Sequence, residues 1–599
     1  MGQGDPDIGQ ETPVAAGSAT VGGGGGGARS YFRAIAVDFD GTLTEGARPD
    51  QAVLDAIADA RGDGIRVILV TGRILGELRH GFRDVDEHFD SIVAENGALI
   101  SGPHGRRLLS DPVDEVLEDA LLRRHVPIRA GEVLLACDAA HDRIVLEEIG
   151  RLGLDCQILR NRAALMVLPA GVTKGSGLLE ALADLGVSRH STITVGDAEN
   201  DRRLLDVGEY GVAVANAVEA LKDRADLVLD EPDGRGVVAL LRGPILTGSR
   251  PARSARWRLH IGAADGEAVT IPASQINVLI AGGSGMGKSY LAGLLAEEVS
   301  ELGYSALIVD LEGDHLDLDD LRGVLSVGGV EPLPRPGEIH RLLRHRFGSV
   351  VLDVSLLDHP HQDAYISALP GIIEEERRQT GLPHWVFVDE AHRLVGTDLL
   401  GTTMLDEPNR GHCLVSYQPE HLTSISPRYL DVVLLTPGLE PDQLPGLARA
   451  TGRTSDHLAA LLDGAMIGEA VIIEPARAPD HDRRFTVGGR RTTHVRHWHK
   501  YARLPLDPAL HFHFRSIGGA PTGNVASSLH EFHHLLRGSP PDVIDHHVAG
   551  GDFSRWILAA TRDDTLCDSF ADAERSRGAN DSVDIRDDLV RAIEQRYLG

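Results

Sequence analysis

The chain has 599 residues, of which 42% are hydrophobic and 25% are charged, and its formal net charge is −30. This length exceeds what one hydrophobic core organises, so the composition is that of a globular protein with several domains. The acidic excess argues against a broadly basic surface for nucleic acid, although it leaves room for a local basic channel.

The cysteines and the hydropathy of the chain indicate in which cellular compartment the protein is expected. The four cysteines are scattered without a C-x-x-C pair, which predicts free thiols in a reducing compartment. No apolar run approaches the length of a transmembrane helix, and the N-terminus lacks a signal-peptide pattern. We therefore expect a cytoplasmic protein with no membrane partner.

Composition divides the chain into five segments. Residues 1–30 are rich in glycine and predict a disordered tail, because they cannot bury a core. In 31–245 and again in 254–480, short apolar runs alternate with amphipathic stretches, which predicts two α/β domains built on parallel sheets. An Arg/His-rich connector at 481–510 and a mainly helical module at 511–599 follow.

The apolar runs give the predicted strands in chain order. In the first α/β region they are Ala34–Phe39, Arg66–Val70, Ser91–Ala94 and Thr192–Val195. In the second they are Asn277–Ala281, Ala306–Val309, Ser349–Leu352, Trp385–Val388, Cys413–Ser416 and Val432–Leu435. An amphipathic helix is predicted at Tyr290–Val299.

Acidic residues follow two predicted strands of the first region. Asp38 and Asp40 flank Phe39, and alternate side chains at a strand end point the same way, so both carboxylates can face one site. One carboxylate can attack phosphorus while the other moves a proton. Asp197 and Asp201 would complete a Mg²⁺ site with oxygen ligands. The alternative is that Asp-x-Asp-Gly merely ends a strand in a turn.

Lysine is scarce, which makes its positions informative. The chain has four lysines: Lys174, Lys222, Lys288 and Lys500. Lys174 lies between the two acidic segments, and Lys288 closes a glycine-rich segment. Because a compact ammonium serves as a point charge on phosphate, these two placements predict two separate phosphate-handling sites.

Four ordered motifs in the first region resemble the haloacid dehalogenase (HAD) phosphatase superfamily. They are Asp38-x-Asp40-Gly41-Thr42, Thr71 within Val70–Arg73, Lys174, and Gly196-Asp197-x-x-Asn200-Asp201. Glu95–Ala98 and Val214–Ala217 resemble the Cof-type (IIB) branch. The resemblance covers about 31–241 and implies a Rossmann-like fold with an inserted α/β cap, here at about 82–172.

The resemblance also implies an activity. A Cof-type enzyme is a Mg²⁺-dependent phosphohydrolase that acts on a small phosphate ester, such as a sugar phosphate, through an aspartyl-phosphate.

Each motif residue then receives a role by the same resemblance. Asp38 would be the nucleophile and Asp40 the general acid/base. Thr71 and Lys174 would hold the phosphoryl group. The metal ligands would be Asp38, Asp40 through its carbonyl, and Asp197, with Asp201 supporting the metal side. Substrate or phosphate contacts are expected from Gly41, Thr42, Gly72, Arg73 and Asn200.

The second phosphate motif is a P-loop. The segment that matches G-x-x-x-x-G-K-[ST] is Gly282, Gly283, Ser284, Gly285, Met286, Gly287, Lys288 and Ser289. Its backbone N–H groups would cradle the phosphates of ATP, Lys288 would reach the β- and γ-phosphates, and Ser289 would bind Mg²⁺. Asp389 and Glu390 end a later strand and fit the roles of Mg²⁺ ligand and water-polarising residue. The alternative is a glycine-rich turn.

The remaining order of segments resembles the HerA/FtsK branch of RecA-like ATPases over about 257–475. The matching segments are Ile308–Asp314, Val351–Ser355 and Ser416–Pro419, with Gln418 placed to sense the γ-phosphate. The resemblance implies ATP hydrolysis in a homo-oligomer, with Arg410, Arg449 and Arg453 as candidate arginine fingers. The small β-barrel that usually precedes this core is reduced to Trp257–Ile271, and the segment after Glu390 is short. Both departures argue against a hexameric DNA translocase.

Histidines near the C-terminus allow two interpretations. His530-Glu531-Phe532-His533-His534 matches H-E-x-x-H, which on a helix puts two histidines on one face, as in zinc proteases. A third ligand could come from His546 or His547. The alternative is an amphipathic helix with a core stripe at Val525, Leu529, Phe532 and Leu536.

Three functional hypotheses follow. The first is a phosphatase fused to an ATPase that drives or gates it. The second is a nucleic-acid translocase with an accessory nucleotide- or end-processing phosphatase domain. The third is a scaffold switched by bound nucleotide without turnover.

Overall fold

The computed structural model describes residues 30–161, 164–329, 332–345, 348–393, 410–422, 427–492, 506, 508–561, 564–579 and 585–594. The predicted tail up to residue 29 and Lys500 lie outside these ranges. No helix within them is both long and apolar enough to span a bilayer.

The strands alternate with helices through most of the chain. The strands of the first region are β1 Ala34–Asp38, β2 Arg66–Val70, β3 Ser91–Ala94, β4 Leu99–Gly102, β5 Gly105–Leu108, β6 Arg129–Ala130, β7 Leu135–Asp138, β8 Cys156–Asn161, β9 Ala164–Pro169, β10 Thr192–Gly196, β11 Tyr210–Ala213 and β12 Leu227–Val228. Those of the second are β13 Arg258–Ala264, β14 Glu267–Pro272, β15 Asn277–Ala281, β16 Ala306–Asp310, β17 Val324–Gly328, β18 Ser349–Asp353, β19 Trp385–Val388, β20 His412–Ser416, β21 Val432–Leu435, β22 Glu469–Ile473 and β23 Arg483–Val487. A hairpin follows with β24 Phe512–Arg515 and β25 Pro521–Ala526.

The helices cover both faces of the sheets. In the first region they are α1 Gln51–Gly62, α2 Leu75–Gly81, α3 Val85–His88, α4 Glu115–Arg123, α5 Asp142–Leu152, α6 Lys174–Leu185, α7 Arg202–Val207, α8 Glu219–Lys222 and α9 Asp233–Leu241. In the second they are α10 Lys288–Glu301, α11 Ile339–Arg344, α12 His359–Ser367, α13 Leu369–Thr380, α14 Leu444–Thr451 and α15 Ser455–Leu462. The last are α16 Leu529–Gly538, α17 Pro541–Gly550, α18 Asp552–Thr561, α19 Asp564–Ala579 and α20 Arg586–Ile593.

The first large sheet has eight strands in the order β12-β11-β10-β1-β2-β3-β4-β5. The strands from β12 to β3 are parallel, and β4 and β5 are antiparallel additions. Every residue of β1 is buried, as expected of a central parallel strand whose two faces are covered by helices. The predicted α/β fold class is confirmed, and each predicted strand lies within one residue of its observed ends.

A second, smaller sheet is inserted between β5 and α6. It is antiparallel, with the order β6-β7-β9-β8, and it packs against α4 and α5. The predicted cap interval of about 82–172 is too wide at its start, because β3, β4 and β5 pair within the main sheet. Hairpins join β3 to β4 and β4 to β5, and the exposed β5 (Gly105–Leu108) carries no apolar run that would predict it from sequence. Below, residues 109–172 are called the cap.

The second large sheet has eleven strands in the order β14-β13-β23-β22-β21-β15-β20-β19-β16-β18-β17. Its parallel part runs from β21 to β17, and β22, β23, β13 and β14 add antiparallel strands at one edge. The predicted end of this domain at 480 is therefore wrong: Arg483–Val487 is a strand of the sheet, not part of a connector. Its alternating polar and apolar residues suit an antiparallel strand with one covered face. The other predicted domain boundaries stay predictions.

The two large units are in direct contact. Below, the first unit means residues 30–253 and the second unit 254–492. Glu209 of the first unit is fully buried and accepts hydrogen bonds from Tyr304 Oη at 2.7 Å and Ser274 Oγ at 2.5 Å, both of the second unit. His190 Nε2 contacts the carbonyl of Leu302 at 2.9 Å. The junction thus contains a buried polar network.

The described part of the C-terminal region packs the β24–β25 hairpin against α16–α20. An aromatic cluster of Phe512, Phe514, Phe532 and Trp556 forms its core. The predicted helical module therefore also contains a hairpin.

Candidate active sites

The first candidate site lies at the carboxyl ends of β1 and β10. These strands are parallel neighbours with Val37 opposite Val195, so Asp38 at the end of β1 and Asp197 just after β10 come together. Lys174 is the first residue of α6, which Thr173 caps through a hydrogen bond from the Ser176 N–H. The capped helix start thus aims the lysine side chain at the two strand ends.

Lys174 binds two buried carboxylates. Its Nζ donates to Asp38 Oδ1 at 2.5 Å and to Asp201 Oδ1 at 2.6 Å. Burial alone would lower the pKa of Lys174, but Asp201 and Asp38 raise it above its ordinary value. Burial and repulsion from Asp201 raise the pKa of Asp38 well above its usual range, against the lowering effect of Lys174. The lysine therefore stays charged in the core of the site.

The carboxylates form a group suited to a divalent cation. Ligand oxygens of Asp38, Asp197 and Asp201 lie within 4.8 Å of one another, and all three residues are buried. Asp201 Oδ2 also accepts the backbone N–H groups of Asp197 and Ala198, each at 3.0 Å. Three carboxylates against one ammonium leave buried negative charge, and oxygen ligands are those that Mg²⁺ takes. The residues present fit the predicted metal.

Asp40 lies at the mouth of this site rather than in its interior. Arg73 donates to both of its carboxylate oxygens, with Nη2 to Oδ1 at 2.5 Å and Nε to Oδ2 at 3.0 Å. The guanidinium also lies over the Phe39 ring, 4.5 Å from its centroid. Arg73 was predicted to contact substrate phosphate, and in this structure it holds the predicted general acid/base.

The other predicted residues of the first site surround these groups. Thr42 Oγ1 donates to Asp197 Oδ1 at 3.2 Å, and buried Thr71 accepts the Arg73 N–H through its hydroxyl. Gly41 is at φ 82°, a conformation that favours glycine, and its carbonyl accepts from Asn216. Gly72 lies under Met166 of the cap. Asn200 donates to Asn96, so it is next to the site rather than in the carboxylate cluster.

A cavity of about 330 Å³ separates the mouth of the site from the cap. Its lining includes Asp40, Arg73, Glu77, Arg129 and Met166. Arg129, on β6 of the cap, forms an ion pair with Glu77 of α2 at 2.8 Å. Sequence reasoning missed Arg129, because a single arginine on a two-residue strand carries no motif.

Glu95 fastens the cap to the sheet and was known in sequence only as part of a family segment. It is fully buried, and its carboxylate accepts the N–H groups of Glu132, Val133 and Leu134 at 2.9, 2.8 and 3.2 Å. These residues form the turn between β6 and β7. A Cβ on Gly131 would come within 2.5 Å of the Glu95 carboxylate, so the close approach requires glycine there.

The second candidate site lies where β15, β20 and β19 end side by side. The glycine-rich loop follows β15 and leads into α10, whose first residues are Lys288 and Ser289. Gly285 and Gly287 have φ of 82° and 93°, which favour glycine. Lys288 Nζ donates to the Gly283 carbonyl at 2.8 Å, within the loop itself. This strand, loop and helix are the context that a P-loop requires.

A neighbouring turn holds the loop in place. The Gly283 N–H donates to the Pro437 carbonyl at 2.9 Å, and a Cβ on Gly282 would overlap Thr436. Sequence reasoning missed this Thr-Pro-Gly segment, whose only signal was its position after β21. It fixes the backbone around the predicted phosphate cradle formed by Gly282 to Ser289, including Ser284 and Met286.

Asp389 and Glu390 follow β19, next to the loop. Burial, Asp310 and Glu390 raise the pKa of Asp389 well above its usual range. Burial and Glu312 raise the pKa of Glu390 to about 7, although Lys288 lowers it. Glu390 is at φ 48°, an uncommon conformation for a residue with a side chain. Strain and shifted pKa values of this kind concentrate at functional sites.

Four predicted residues of the second site remain: Gln418 and the three candidate arginine fingers. Gln418 is half-buried beyond β20, and its N–H donates to Ser416 Oγ at 3.0 Å. Of the arginine-finger candidates, Arg453 forms a buried ion pair with Asp482 at 2.6 Å, and Arg410 pairs with Asp431 at 3.2 Å. Arg449 is partly exposed and donates to the Pro445 carbonyl. Arg453 is therefore engaged within its own unit.

The H-E-x-x-H segment forms α16. Leu529, Phe532 and Leu536 are buried, whereas His530 and His534 are on the exposed side. Within the described residues, no third potential ligand lies close enough to these histidines to complete a metal site. Val525 is 40% exposed, so the predicted core stripe begins only at Leu529. The geometry favours the amphipathic helix.

Two family profiles match the chain. The profile described as haloacid dehalogenase-like hydrolase matches residues 35–124 and 155–241, which include Asp38, Lys174 and Asp197. The profile described as Helicase HerA, central domain, matches residues 261–369, which include the glycine-rich loop.

Named relatives match the first unit. A phosphoglycolate phosphatase of Archaeoglobus fulgidus is 32% identical over 221 residues, which is 35% of this chain and 96% of the relative. Another, of Methanothermobacter thermautotrophicus, is 31% identical over 221 residues, 35% of this chain and 97% of the relative. A solved structure described as an HAD subclass IIB sugar phosphatase is 23% identical, with 35% of this chain and 98% of its own covered and a TM-score of 0.31.

Proposed function

Because the chain belongs to the haloacid dehalogenase-like hydrolases through its first unit, with a HerA-type ATPase domain behind it, we propose that Asp38 is the nucleophile of a Mg²⁺-dependent phosphatase. The observation that carries the proposal is the buried Lys174 bridging Asp38 and Asp201 beside Asp197. This arrangement supports attack of the Asp38 carboxylate on phosphorus, because the Lys174 ammonium offsets part of the negative charge of the carboxylates and the phosphate.

The proposed reaction has two steps. An Asp38 oxygen forms a bond to phosphorus while the ester P–O bond breaks, and Asp40 donates a proton to the leaving oxygen. Water then attacks the phosphorus of the aspartyl-phosphate while Asp40 takes a proton from it, the bond between phosphorus and the Asp38 oxygen breaks, and phosphate leaves with the Asp38 carboxylate restored. Arg73 keeps the Asp40 carboxyl at the mouth until the substrate enters.

Charge around the phosphoryl group comes from several sources. Asp38 and Asp197, with the Asp40 carbonyl, would hold Mg²⁺, which supplies charge neutralisation for the transferring phosphoryl group. Lys174 holds Asp38 in place and would add the charge of its ammonium, and Thr71 would contribute a hydroxyl. Asp201 positions Lys174 rather than contacting substrate.

For the substrate we propose a small phosphate monoester that carries a carboxylate, with 2-phosphoglycolate as the first to test. The relatives named phosphoglycolate phosphatase support this class. Two arginines, Arg73 and Arg129, line the cavity above the site. An arginine fork matches a carboxylate in a bidentate way, and Arg129 already pairs with the carboxylate of Glu77. A substrate carboxylate could replace Glu77.

The test is a phosphatase assay of the full chain with Mg²⁺ on 2-phosphoglycolate and a panel of sugar phosphates. We expect 2-phosphoglycolate to have the highest kcat/KM, and Arg129→Met to lower it about tenfold or more, mainly through KM. Arg123→Met, an exposed arginine at the end of α4 in the cap, is the control. Sugar phosphates that outperform 2-phosphoglycolate, with no loss in Arg129→Met, would refute the substrate class while leaving the phosphatase assignment intact.

For the second unit we propose ATP hydrolysis at the P-loop. Ser289 and Asp389 would hold Mg²⁺, Lys288 would bind the β- and γ-phosphates, and Glu390 would polarise the attacking water. Gln418 would sense the γ-phosphate. The raised pKa of Glu390 supports a base poised near neutral pH. We expect a homo-oligomer through this domain, and sedimentation with and without ATP tests that.

The HerA match favours a second candidate function, nucleic-acid translocation with the phosphatase as an accessory. It predicts that DNA or RNA stimulates ATP hydrolysis and that Lys288→Ala removes the stimulated rate. An ATPase rate that no nucleic acid changes would exclude this function and leave an ATPase that drives or gates the phosphatase. Nucleotide binding without turnover would instead favour a switched scaffold.

A further inference from the structure

A second cavity lies where the first and second units meet, away from both candidate active sites. Its volume is about 170 Å³. Arg33 and Arg250 line it from the first unit, and Arg377, Arg378 and Arg410 line it from the second. Of these residues only Arg410 received a role from the resemblances, as a candidate arginine finger, and it pairs with Asp431 in its own unit.

The charge of this cleft is opposite to that of the chain. The whole chain carries a formal net charge of −30, yet five arginines converge here. Three carboxylates offset them in part: Glu374 also lines the cleft, Glu375 pairs with Arg378, and Asp431 pairs with Arg410 at 3.2 Å. An excess of positive charge is left around Arg377 and Arg250.

Arg377 is held by neutral groups. Its guanidinium donates to the carbonyls of Pro383 at 2.9 Å and Gly411 at 3.1 Å, and to His412 Nε2 at 3.1 Å. Among the described residues no carboxylate lies within ion-pair distance of it. Burial lowers the pKa of Arg377 to about 10, the cost of a cation taken from water without a counterion. A negatively charged ligand would supply that counterion.

His412 is the buried neutral partner of Arg377. Because arginine can only donate, Nε2 of His412 accepts, and a neutral ring then carries its proton on Nδ1. Burial lowers the pKa of His412 well below its usual range, so the ring is neutral. Its Nδ1 is buried and has no hydrogen-bond partner among the described residues. The donors that the cleft offers are therefore those of its arginines, and a ligand must bring acceptors.

We propose that this cleft binds a small phosphate-bearing anion, held by arginines from both units. The arginine fork matches phosphate oxygens as well as carboxylates, and a phosphate dianion can balance an excess of two guanidinium groups. Both proposed reactions of this chain release inorganic phosphate, which makes that ion the natural probe. Because the ligand would contact both units, binding would also stabilise their junction.

The test is isothermal titration calorimetry of the full chain with inorganic phosphate. The first variant is Arg250→Gln, because this side chain is exposed at the rim and its loss should not disturb folding. Arg235→Gln, on the exposed face of α9, is the matched control. Both candidate active sites are unchanged in these proteins, so any difference in binding belongs to the cleft.

We expect phosphate to bind Arg250→Gln about tenfold more weakly than wild type or Arg235→Gln, as for the loss of one charge-assisted hydrogen bond. Arg377→Gln should abolish the cleft site, and if that variant does not fold, Arg250→Glu takes its place with a larger loss expected. Equal phosphate affinity in wild type, Arg250→Glu and Arg235→Gln would overturn the proposal. So would binding of acetate in preference to phosphate, whereas competition by 2-phosphoglycolate would support a phosphate ester as the ligand.

Discussion

The buried Lys174 shows how single side chains define the first site. It sits between Asp38 and Asp201 at 2.5 and 2.6 Å, and only 1% of the residue is exposed. Removal of one partner from such a group leaves an uncompensated buried charge, which is far more costly than the pair itself. A substitution at Asp38 therefore tests its role in the reaction only if it keeps the shape and hydrogen bonding of the side chain, so that the fold around Lys174 is preserved.

Asp38→Asn should lower phosphatase activity at least about a thousandfold, because an amide oxygen cannot form the aspartyl-phosphate. ATP hydrolysis should stay within about twofold of wild type, since the P-loop belongs to the other unit. The measurement is release of phosphate from 2-phosphoglycolate, and from ATP separately. Asp55→Asn, on the exposed face of α1, serves as the control. Phosphatase activity that survives in Asp38→Asn would show that the nucleophile is misassigned.

Lys288→Ala is the corresponding change in the second unit. Its ammonium donates to the loop carbonyl of Gly283 at 2.8 Å, so it lies within the loop that would cradle the phosphates. We expect ATP hydrolysis to fall about a hundredfold or more while the phosphatase rate is retained. Lys222→Ala, on α8 and paired with Glu219, is a matched lysine control. A normal ATPase rate in Lys288→Ala would exclude the P-loop as the ATP site.

The contacts between the cap and the main sheet show how strands and helices position the cap. The turn between β6 and β7 donates three N–H groups to Glu95, while Arg129 on β6 reaches Glu77 on α2. The sheet and cap also share an apolar contact that includes Ile74, Val133 and Met166. The position of the cap over Asp40 thus depends on a few polar contacts at one turn.

Gly131→Ala should displace that turn, since the new Cβ would fall 2.5 Å from the Glu95 carboxylate. We expect kcat/KM for the phosphate ester to fall about tenfold, with ATPase activity unchanged, because only cap closure is affected. Gly150→Ala, in α5 of the same cap with open space around it, is the matched control. Equal losses in the two variants would mean that the Glu95 contact has no role in closure.

At the level of the whole molecule, the two units share a buried network. Glu209 accepts from Tyr304, Ser274 and His190, and the last contact is 2.9 Å long at Nδ1. Burial raises the pKa of Tyr304 well above its usual range, so its hydroxyl keeps the proton that it donates. A polar junction of this kind makes the relative position of the units specific, because any other arrangement would remove two of the donors, Tyr304 and Ser274, from the buried carboxylate.

Tyr304→Phe should therefore destabilise the protein by about 1.5–3 kcal/mol, the range for a hydrogen bond to a charged partner. Urea unfolding followed by fluorescence and circular dichroism measures the loss. Tyr365→Phe removes a bond to a neutral carbonyl inside the second unit and should cost about 1 kcal/mol. If the two variants lose equal stability, the junction contributes nothing special to folding.

The sequence by itself determined the α/β class, the strand positions and the two phosphate motifs. Each of these depends on local information, such as the apolar run that forms β1, the acidic residues directly after it, or the glycines that lead into α10. The placement of β3–β5 and of β23 needed the structure, because a short strand can join any open sheet edge and its own pattern does not name the partner.

Only the tertiary structure decided which side chains share a site. Asp40 and Arg73 are 33 positions apart in the chain, and Arg129 and Glu77 are 52 apart. Glu95 is at least 37 positions from the cap turn that it contacts. The arginine cleft and the Glu209 network join residues of two separate units. Contacts of this range arise from how sheets and helices pack, and no period or motif in the chain encodes them. The motifs predicted two separate phosphate sites, and the structure places the two units that carry these motifs in contact through a buried polar junction.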